Sequence, residues 1–303
     1  MGGSLHKVGK LLLAVWLLHA AGYQPVTAAA TDGSFTNDAC IQCHAPRDPG
    51  LVDAWRASAH ARAESRVDCV ACHGESHTDA GPRARRDATC SACHGGPTAP
   101  VVHSYTTSKH GILLRLEKPD WTQPLAVANY RVPGCAYCHM HAGNHAAGAG
   151  VRDWNPLEDT APGEQDRIQE TMRAVCRECH SPRYINSLFS NGERMLSVAR
   201  MKMREADALL EQAGAEFSAD ELISARVQME HMQQHLKNVL LGIGHQSPDY
   251  QWWHGQPALD GDLLRIKAAL AESRRRHSDR KNTEPTHAPV FKQRIEPGEG
   301  ETQ

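Results

Sequence analysis

The chain has 303 residues, a formal net charge of −2, ten cysteines, nineteen histidines and only sixteen aromatic residues. The near-neutral charge gives no basis for a nucleic-acid partner, and the composition excludes collagen-like, coiled-coil and membrane-spanning architectures. A hydrophobic fraction of 40% with a mean hydropathy of −0.52 is low for a core of side chains alone, so the cysteines and histidines point to core material other than amino acids.

The first thirty residues have the form of a secretory signal peptide. Basic residues at positions 6–10 precede an apolar stretch at 11–21, and the alanines at 28–30 provide a cleavage site. The apolar stretch is about half of the roughly 20 residues that a membrane-spanning helix needs, so a retained anchor is the weaker interpretation. We therefore predict cleavage near Ala30, and a periplasmic or otherwise exported mature chain without a transmembrane helix.

The ten cysteines form five C-x-x-C pairs, and a histidine follows each pair directly. In C-x-x-C-H, two thiols add to the vinyl groups of one haem and the adjacent imidazole binds the iron. Zinc is the alternative for C-x-x-C, but it does not need a histidine after every second cysteine. We predict five covalently attached c-type haems, with thioether bonds to Cys40, Cys43, Cys69, Cys72, Cys90, Cys93, Cys135, Cys138, Cys176 and Cys179. The proximal iron ligands are then His44, His73, His94, His139 and His180.

Each haem iron has a second axial position, and ten histidines outside the motifs, the signal peptide and the polar C-terminal residues from His277 onwards are available for it. Methionine is the competing ligand, but with only eight methionines, bis-histidine coordination and low reduction potentials are favoured. His103 and His110 are seven residues apart, which places them on one face if the segment is helical. The distal candidates are His60, His103, His110, His145 and His245.

Other histidines have competing interpretations. His77 and His141 lie so near their motifs that a haem propionate or the backbone is an alternative partner. His231 and His235 lie on the flank of a helical stripe, which favours a surface or subunit-contact role over iron binding.

The chain changes character near residue 190. Residues 31–190 carry all five motifs, with Pro/Gly-rich loops between short helices, and form the predicted haem domain. Residues 191–277 contain no cysteine, and we predict long helices over 193–213, 219–241 and 259–276. Residues 278–303 are polar without periodicity, so we predict a disordered tail.

The second of these helices has the clearest pattern. Ser218 and Glu221 form a capping box before it, and Gly242 and Gly244 are expected to end it. Its apolar residues recur at helical spacing and predict one buried stripe: Leu222, Ala225, Met229, Met232, Leu236, Val239, Leu240 and Ile243.

Several segments together resemble the hydroxylamine oxidoreductase-like multihaem cytochromes. The segments that carry the resemblance, in chain order, are 49–52, 55–60, 69–74, 108–112, 135–140, 176–182 and 244–253. The pieces are short, but their order is specific, and they cover most of residues 37–270.

The resemblance implies a mainly α fold, with short helices and loops wrapped around a haem stack and a C-terminal region of long antiparallel helices. It also implies an exported redox protein of nitrogen metabolism with quinol- or cytochrome-linked redox partners. Proteins of this family are often oligomeric, and the C-terminal helices offer a surface for a homo-oligomer.

One departure from the family bears on function. The family's enzymes carry eight haems and this chain has five motifs. The third motif is already followed by the Ser-Lys-His-Gly sequence, at 108–111, that follows a late haem in the family, so the resemblance implies that the segment with the catalytic haem is missing. No lysine follows a C-x-x-C pair, as it does in related nitrite reductases, and Tyr250 is expected to be a packed tyrosine beside Trp252 and Trp253. Electron relay through closed haems is therefore the favoured function, with no catalytic residue assigned. The alternatives are an enzyme that acts on hydroxylamine, hydrazine or nitrite at one open iron, and an accessory subunit of a larger oxidoreductase.

Overall fold

A computed structural model of the chain describes residues 35–96, 98–123, 132–148 and 164–283. Within these ranges the regular structure is entirely helical, with no β-strand. None of the helices described is long and apolar enough to cross a membrane. The predicted signal peptide and residues 284–303 of the predicted tail lie outside the described ranges.

In the described residues from 35 to 148, nine short helices carry or flank the first four motifs. They are α1 (Asn37–His44), α2 (Pro49–Arg56), α3 (Ala59–Arg62), α4 (Cys69–His73), α5 (Ala80–Arg85), α6 (Asp87–Ser91), α7 (Pro100–Thr106), α8 (Lys109–Glu117) and α9 (Cys135–His139). A 3₁₀ turn, His141–Gly143, follows α9.

Polar side chains begin many of these short helices. Thr36, Asp48, Ser58, Asp68 and Ser108 each accept a hydrogen bond from the backbone N–H three residues ahead, at 3.0–3.3 Å. Helices shorter than about 12 residues are marginal in water, so these caps and tertiary contacts must fix them.

Few apolar side chains are buried in this part of the chain. Among the described residues before Pro182 they are Val52, Trp55, Val132, Ala136, Tyr137 and Val175. Trp55 anchors the segment between the first two motifs, because its indole Nε1 donates to the carbonyl of Val67 at 3.0 Å and the Arg66 guanidinium lies 4.6 Å from the ring centroid.

Longer helices form the second half of the described chain. They are α10 (Glu164–Arg177), α11 (Pro182–Gly214), α12 (Ile223–Gly244), α13 (Pro248–His254) and α14 (Gln256–Thr283), with a 3₁₀ turn at Asp220–Leu222 before α12. Helices α11, α12 and α14 pack on one another.

Contacts between the helix ends establish their directions. The start of α11 meets the end of α12 at Gly192 and Ile243, so these two helices are antiparallel. The Ser273 hydroxyl of α14 donates to the carbonyl of Glu221 at 2.7 Å, next to the start of α12, so α14 is antiparallel to α12 as well. This arrangement is the predicted region of long antiparallel helices.

The apolar core lies between these three helices. The predicted stripe of α12 faces it: its first six members are buried, and Leu240 and Ile243 pack against the core. Helix α11 contributes side chains at intervals of three and four residues, with small alanines that allow the helices to approach closely. Its fully covered positions include Leu196, Ala199, Met203, Ala206 and Ala213.

Helix α11 begins eleven residues earlier than predicted and passes through the expected domain boundary. Ser181 caps it through the Tyr184 N–H, and Pro182 occupies its first turn, so the fifth motif runs almost directly into the helix. Gly192 does not interrupt it. A Cβ there would lie 2.7 Å from Cγ2 of Ile243, so glycine serves the contact with α12.

The other helix ends also differ in detail. Glu221 accepts hydrogen bonds from the backbone N–H and the hydroxyl of Ser218, both at 3.0 Å, but a 3₁₀ turn precedes α12 where the regular helix was predicted to begin. Helix α12 continues through Gly242 to Gly244. Helix α14 extends to Thr283, into the segment predicted to be disordered.

We predict that Leu236→Ala lowers the free energy of unfolding by about 2–5 kcal/mol, because it removes a side chain that is 1% exposed and leaves a cavity between the helices. Val198→Ala, at a position that is 43% exposed on α11, should change it by less than about 0.5 kcal/mol. Urea denaturation followed by far-UV circular dichroism measures both, and equal losses would contradict the position of the core.

Candidate haem sites

Each C-x-x-C-H motif is one helical turn. Helices α4 and α9 coincide with the second and fourth motifs. In the third and fifth, the histidine N–H donates to the carbonyl of the first cysteine, at 3.0 Å for His94 and 2.9 Å for His180. One turn brings both sulfurs to the same side of the chain, and none of the ten cysteines forms a disulfide.

A second imidazole lies opposite each motif histidine. The five pairs have ring centroids 6.1–6.4 Å apart: His44 with His77, His73 with His145, His94 with His60, His139 with His245, and His180 with His110. Each pair joins two segments that are separate in the sequence.

The separation fits two imidazoles on one metal ion. A metal–nitrogen bond of about 2 Å, with the ring centre about 1.1 Å further on, places two rings on opposite sides of an iron roughly 6.2 Å apart. The chain's own geometry therefore suits haem iron held between two histidines, with the adjacent thiols at the edge of the macrocycle.

Four of the five distal candidates, His60, His110, His145 and His245, lie opposite a motif histidine. His103 does not: the rings beside it are those of Tyr250 and His254, at 5.5 and 5.4 Å. His77 takes the place opposite His44, and sequence reasoning did not select it because it follows the second motif by only four residues. The fold turns it towards the first motif instead, where its ring lies 4.5 Å from that of Phe35.

Two distal histidines share a local pattern that His103 lacks. His60 and His110 each lie two residues after a serine that caps the helix, Ser58 in α3 and Ser108 in α8. The cap fixes the first turn of a short helix and so the direction of the imidazole. His103 lies in the middle of α7 and has no such serine before it. A capping serine two residues before the histidine is therefore the sequence signal that separates His60 and His110 from His103.

Gly111, directly after His110, allows α8 to pack on α7. A Cβ at this position would lie 2.2 Å from the backbone oxygen of Tyr105 and 2.8 Å from Cα of Thr106. Both neighbours are backbone atoms that cannot move aside independently. The glycine therefore fixes the approach of the two helices and the position of His110 relative to His180.

Three of the paired imidazoles have a fixed Nδ1 partner. Nδ1 of His73 lies 3.1 Å from the carbonyl of Ala80, and that of His145 lies 2.7 Å from the carbonyl of Gly143. Nδ1 of His245 lies 2.7 Å from the hydroxyl of Ser104. A carbonyl only accepts, so Nδ1 carries the proton in the first two rings and Nε2 keeps a free lone pair, as metal-binding histidines require.

Burial favours the neutral state in five of the ten paired rings. Burial lowers the pKa of His60, His73, His110 and His139, and a neighbouring imidazole lowers each further. The pKa of His245 falls to about 4, from burial first and then from His139. Neutral imidazole is the form that binds iron.

Direct contacts join successive motifs in chain order. The Asn37 carboxamide oxygen accepts from the backbone N–H of Cys69 at 3.1 Å, which joins the first and second motifs. Burial raises the pKa of Cys72, and the thiols of Cys90 and Cys93 raise it further, because the second and third motifs are neighbours. The motifs therefore form a row rather than separate sites.

The later motifs continue this row. The Asp87 carboxylate in α6 accepts from the backbone N–H of Cys135 at 2.8 Å, which joins the third and fourth motifs. The Tyr137 hydroxyl, inside the fourth motif, donates to the Glu178 carboxylate inside the fifth. His141 also lies 2.9 Å from Glu178, so it has a carboxylate partner rather than a second imidazole.

The remaining histidines of the helical region lie away from the motifs. His231 is exposed. His235 lies 2.5 Å from the carboxylate of Asp262, which is 1% exposed and also binds Arg265. Tyr250 is buried and donates to Asn238 at 3.1 Å, whereas Trp252 and Trp253 are 68% and 73% exposed rather than packed beside it.

A mostly apolar cavity of about 240 Å³ lies between the first two motifs. Its lining includes Cys40, His44, Cys69, His73 and the opposite histidines His77 and His145. Apolar walls with thiols and paired imidazoles suit a large, flat, hydrophobic cofactor better than a hydrated ion.

Comparison with known proteins identifies the family. The sequence pattern described as "Seven times multi-haem cytochrome CxxCH" matches residues 57–218, which is more than half of the chain. The chain belongs to this family of multihaem cytochromes. The family binds c-type haem covalently, so this chain carries covalent c-type haem. Its sequence contains five C-x-x-C-H motifs, where the family description counts seven.

A relative with a similar sequence is consistent with this family. A probable nitrite reductase-hydroxylamine oxidoreductase fusion protein of Kuenenia stuttgartiensis is 25% identical over 210 residues, which cover 54% of this chain. The chain spans only about a quarter of that relative's length.

Two solved structures share the fold. The reducing HAO-like protein complex of Kuenenia stuttgartiensis aligns with a TM-score of 0.52 and 17% identity over 81% of this chain and 87% of that one. A hypothetical multiheme protein aligns with a TM-score of 0.54 and 16% identity over 72% of this chain and 61% of the other. The multihaem cytochrome thus has the mainly α fold of these proteins.

We predict that Gly111→Ala lowers the melting temperature of the haem-loaded protein, because the new Cβ must displace α8 from α7 and move His110 away from His180. The absorption spectrum of the folded variant should also gain a high-spin haem component. Gly214→Ala is the control, since a Cβ there meets nothing within 4 Å. Equal melting temperatures for the two variants would contradict the role assigned to Gly111.

Proposed function

We propose that the chain is an exported pentahaem c-type cytochrome that relays electrons through five bis-histidine haems. The observation that carries this proposal is the set of five imidazole pairs, with centroids 6.1–6.4 Å apart, one for each motif histidine. Every motif histidine lies opposite a second imidazole, and all five motif histidines lie within the described residues.

The proposed axial ligands follow from these pairs. In motif order, the first haem takes His44 and His77, the second His73 and His145, the third His94 and His60, the fourth His139 and His245, and the fifth His180 and His110. The cysteines of each motif hold the corresponding macrocycle by thioether bonds.

Closed coordination favours relay over catalysis. When bound, haem supplies one-electron exchange between ferric and ferrous iron, and a substrate needs a free sixth position on the iron to react there. The distal imidazoles deny that position to hydroxylamine, hydrazine and nitrite. The chain's role is then to hold the cofactors in a row and to set their potentials, which two histidine ligands keep low.

The row of motifs supports transfer along the chain. Contacts between Asn37 and Cys69, Asp87 and Cys135, and Tyr137 and Glu178 keep consecutive motifs adjacent. Electrons then enter at one end of the row and leave at the other, exchanged with quinol- or cytochrome-linked redox proteins.

A role in the redox metabolism of nitrogen compounds is proposed from the relatives. The curated relative is named as a nitrite reductase-hydroxylamine oxidoreductase fusion, and this chain covers a quarter of its length. Within such metabolism, an electron carrier fits the five closed pairs better than the alternative, an enzyme with one open iron.

We predict that the resting holoprotein contains five haems by intact mass and that its ferric electron paramagnetic resonance (EPR) spectrum contains only low-spin signals. The reason is that two nitrogen ligands on every iron give a strong axial field. A stable high-spin ferric component in the resting protein would overturn the relay and favour the enzyme.

We predict that His60→Ala turns one of the five haems high-spin, because it removes the imidazole 6.1 Å from His94. His231→Ala, at an exposed position on α12, is the matched control and should leave every signal low-spin. A low-spin spectrum for His60→Ala would remove His60 from the ligand set.

Export has a separate test. The mature protein isolated from a host that attaches c-type haem should begin near Thr31, which N-terminal sequencing determines directly. A haem-loaded protein that keeps residues 1–30 would contradict export by a cleaved signal peptide.

A further inference from the structure

The fourth imidazole pair depends on a contact between the two halves of the chain. His245 follows α12 directly, and its Nδ1 lies 2.7 Å from the hydroxyl of Ser104, 141 residues earlier on α7. Ser104 is 0% exposed, so water cannot replace this hydroxyl at the imidazole. The contact is therefore a buried hydrogen bond, made by a polar side chain of α7 that packs against His245.

The direction of the hydrogen bond follows from the second partner of Ser104. Its Oγ donates to the carbonyl of Val101 at 3.0 Å, which uses the only hydroxyl proton. Oγ then accepts from Nδ1–H of His245. The ring is held in one tautomer, with the lone pair of Nε2 available on the side away from Ser104.

The same segment also limits rotation of the ring. Tyr105, the next residue, packs edge-on against His245 with centroids 5.9 Å apart and planes at 69°. Between the hydroxyl and the phenol ring, His245 lies at 78° to the plane of His139. The other four pairs have angles of 62°, 56°, 40° and 20°, so the fourth pair is the most nearly perpendicular and the second the most nearly parallel.

We propose that Ser104 is a positioning residue for the fourth haem, which fixes both the tautomer and the near-perpendicular orientation of His245. This inference rests on the bis-histidine coordination proposed above. Ser104 lies outside the C-x-x-C-H motifs and is not an axial ligand, yet it sets the electronic properties of the fourth haem.

Two measurable properties depend on this position. Perpendicular axial imidazoles leave the two dπ orbitals of low-spin ferric iron nearly equal in energy, which gives a strongly anisotropic EPR signal, whereas parallel rings separate the orbitals and give a rhombic one. Hydrogen-bond donation from Nδ1 also makes the imidazole a stronger electron donor, which stabilises ferric iron and lowers its reduction potential.

The test compares Ser104→Ala with Thr107→Val in the full haem-loaded protein. Thr107 lies at the end of the same helix and contacts Ser247 across the same interface, through hydroxyls 2.9 Å apart, but it does not touch His245. The readouts are the ferric EPR spectrum and a potentiometric titration followed by haem absorbance.

We expect Ser104→Ala to alter the most anisotropic component, about one-fifth of the low-spin intensity if each motif holds one haem, and to raise one reduction potential. The unaltered components serve as an internal check that the variant is folded. Ser104→Cys, with a weaker acceptor of similar size, should give a smaller change in the same component. Thr107→Val should match the parent.

The outcomes separate this inference from the proposed function. If Ser104→Ala superimposes on the parent in both readouts, or if Thr107→Val causes the same change, Ser104 has no positioning role and the loosened interface explains the result. Conversion of one haem to high spin in Ser104→Ala alone supports the positioning role. A high-spin haem in the parent would instead refute closed coordination, before any variant is compared.

Discussion

The pairing of each motif histidine with a second imidazole organises most of the described chain. The five pairs have nearly the same separation, with ring centroids 6.1–6.4 Å apart. Few apolar side chains are buried in the described residues before Pro182, and polar caps fix the ends of the short helices there. The covalent cofactor of this family therefore supplies the bulk and the cross-links that a conventional core supplies elsewhere.

The two halves of the chain follow different physical principles. In residues 182–283, a stripe of apolar side chains on each long helix buries itself against two others, and charged groups stay outside or pair with one another. In the described residues before Pro182, local hydrogen bonds hold some of the paired histidines, such as His73 and His145, and the partner ring comes from a distant segment. The halves meet at His245, where the end of a helix from the apolar core reaches the buried serine of α7.

The difference explains what the sequence could predict. The C-x-x-C-H turns depend on local spacing, and the stripe of α12 depends on helical period, so both are visible in the sequence. His77 was set aside because it is close to the second motif, and only the fold brings it opposite His44. The first long helix was predicted to begin at residue 193, but α11 runs through Gly192, where Ile243 makes a small residue necessary. The place of His77 and the need for glycine at position 192 both depend on residues that are distant in the sequence.

The position of His245 determines which imidazole pair becomes available last during synthesis. Four of the imidazole pairs join residues between His44 and His180, whereas the pair that includes His139 needs a ring that follows α12. Because a ribosome delivers the N-terminus first, the segments for four pairs emerge before the last histidine is made. A nascent chain thus contains all five C-x-x-C-H motifs long before it contains the last of the paired imidazoles, which follows the long helix α12.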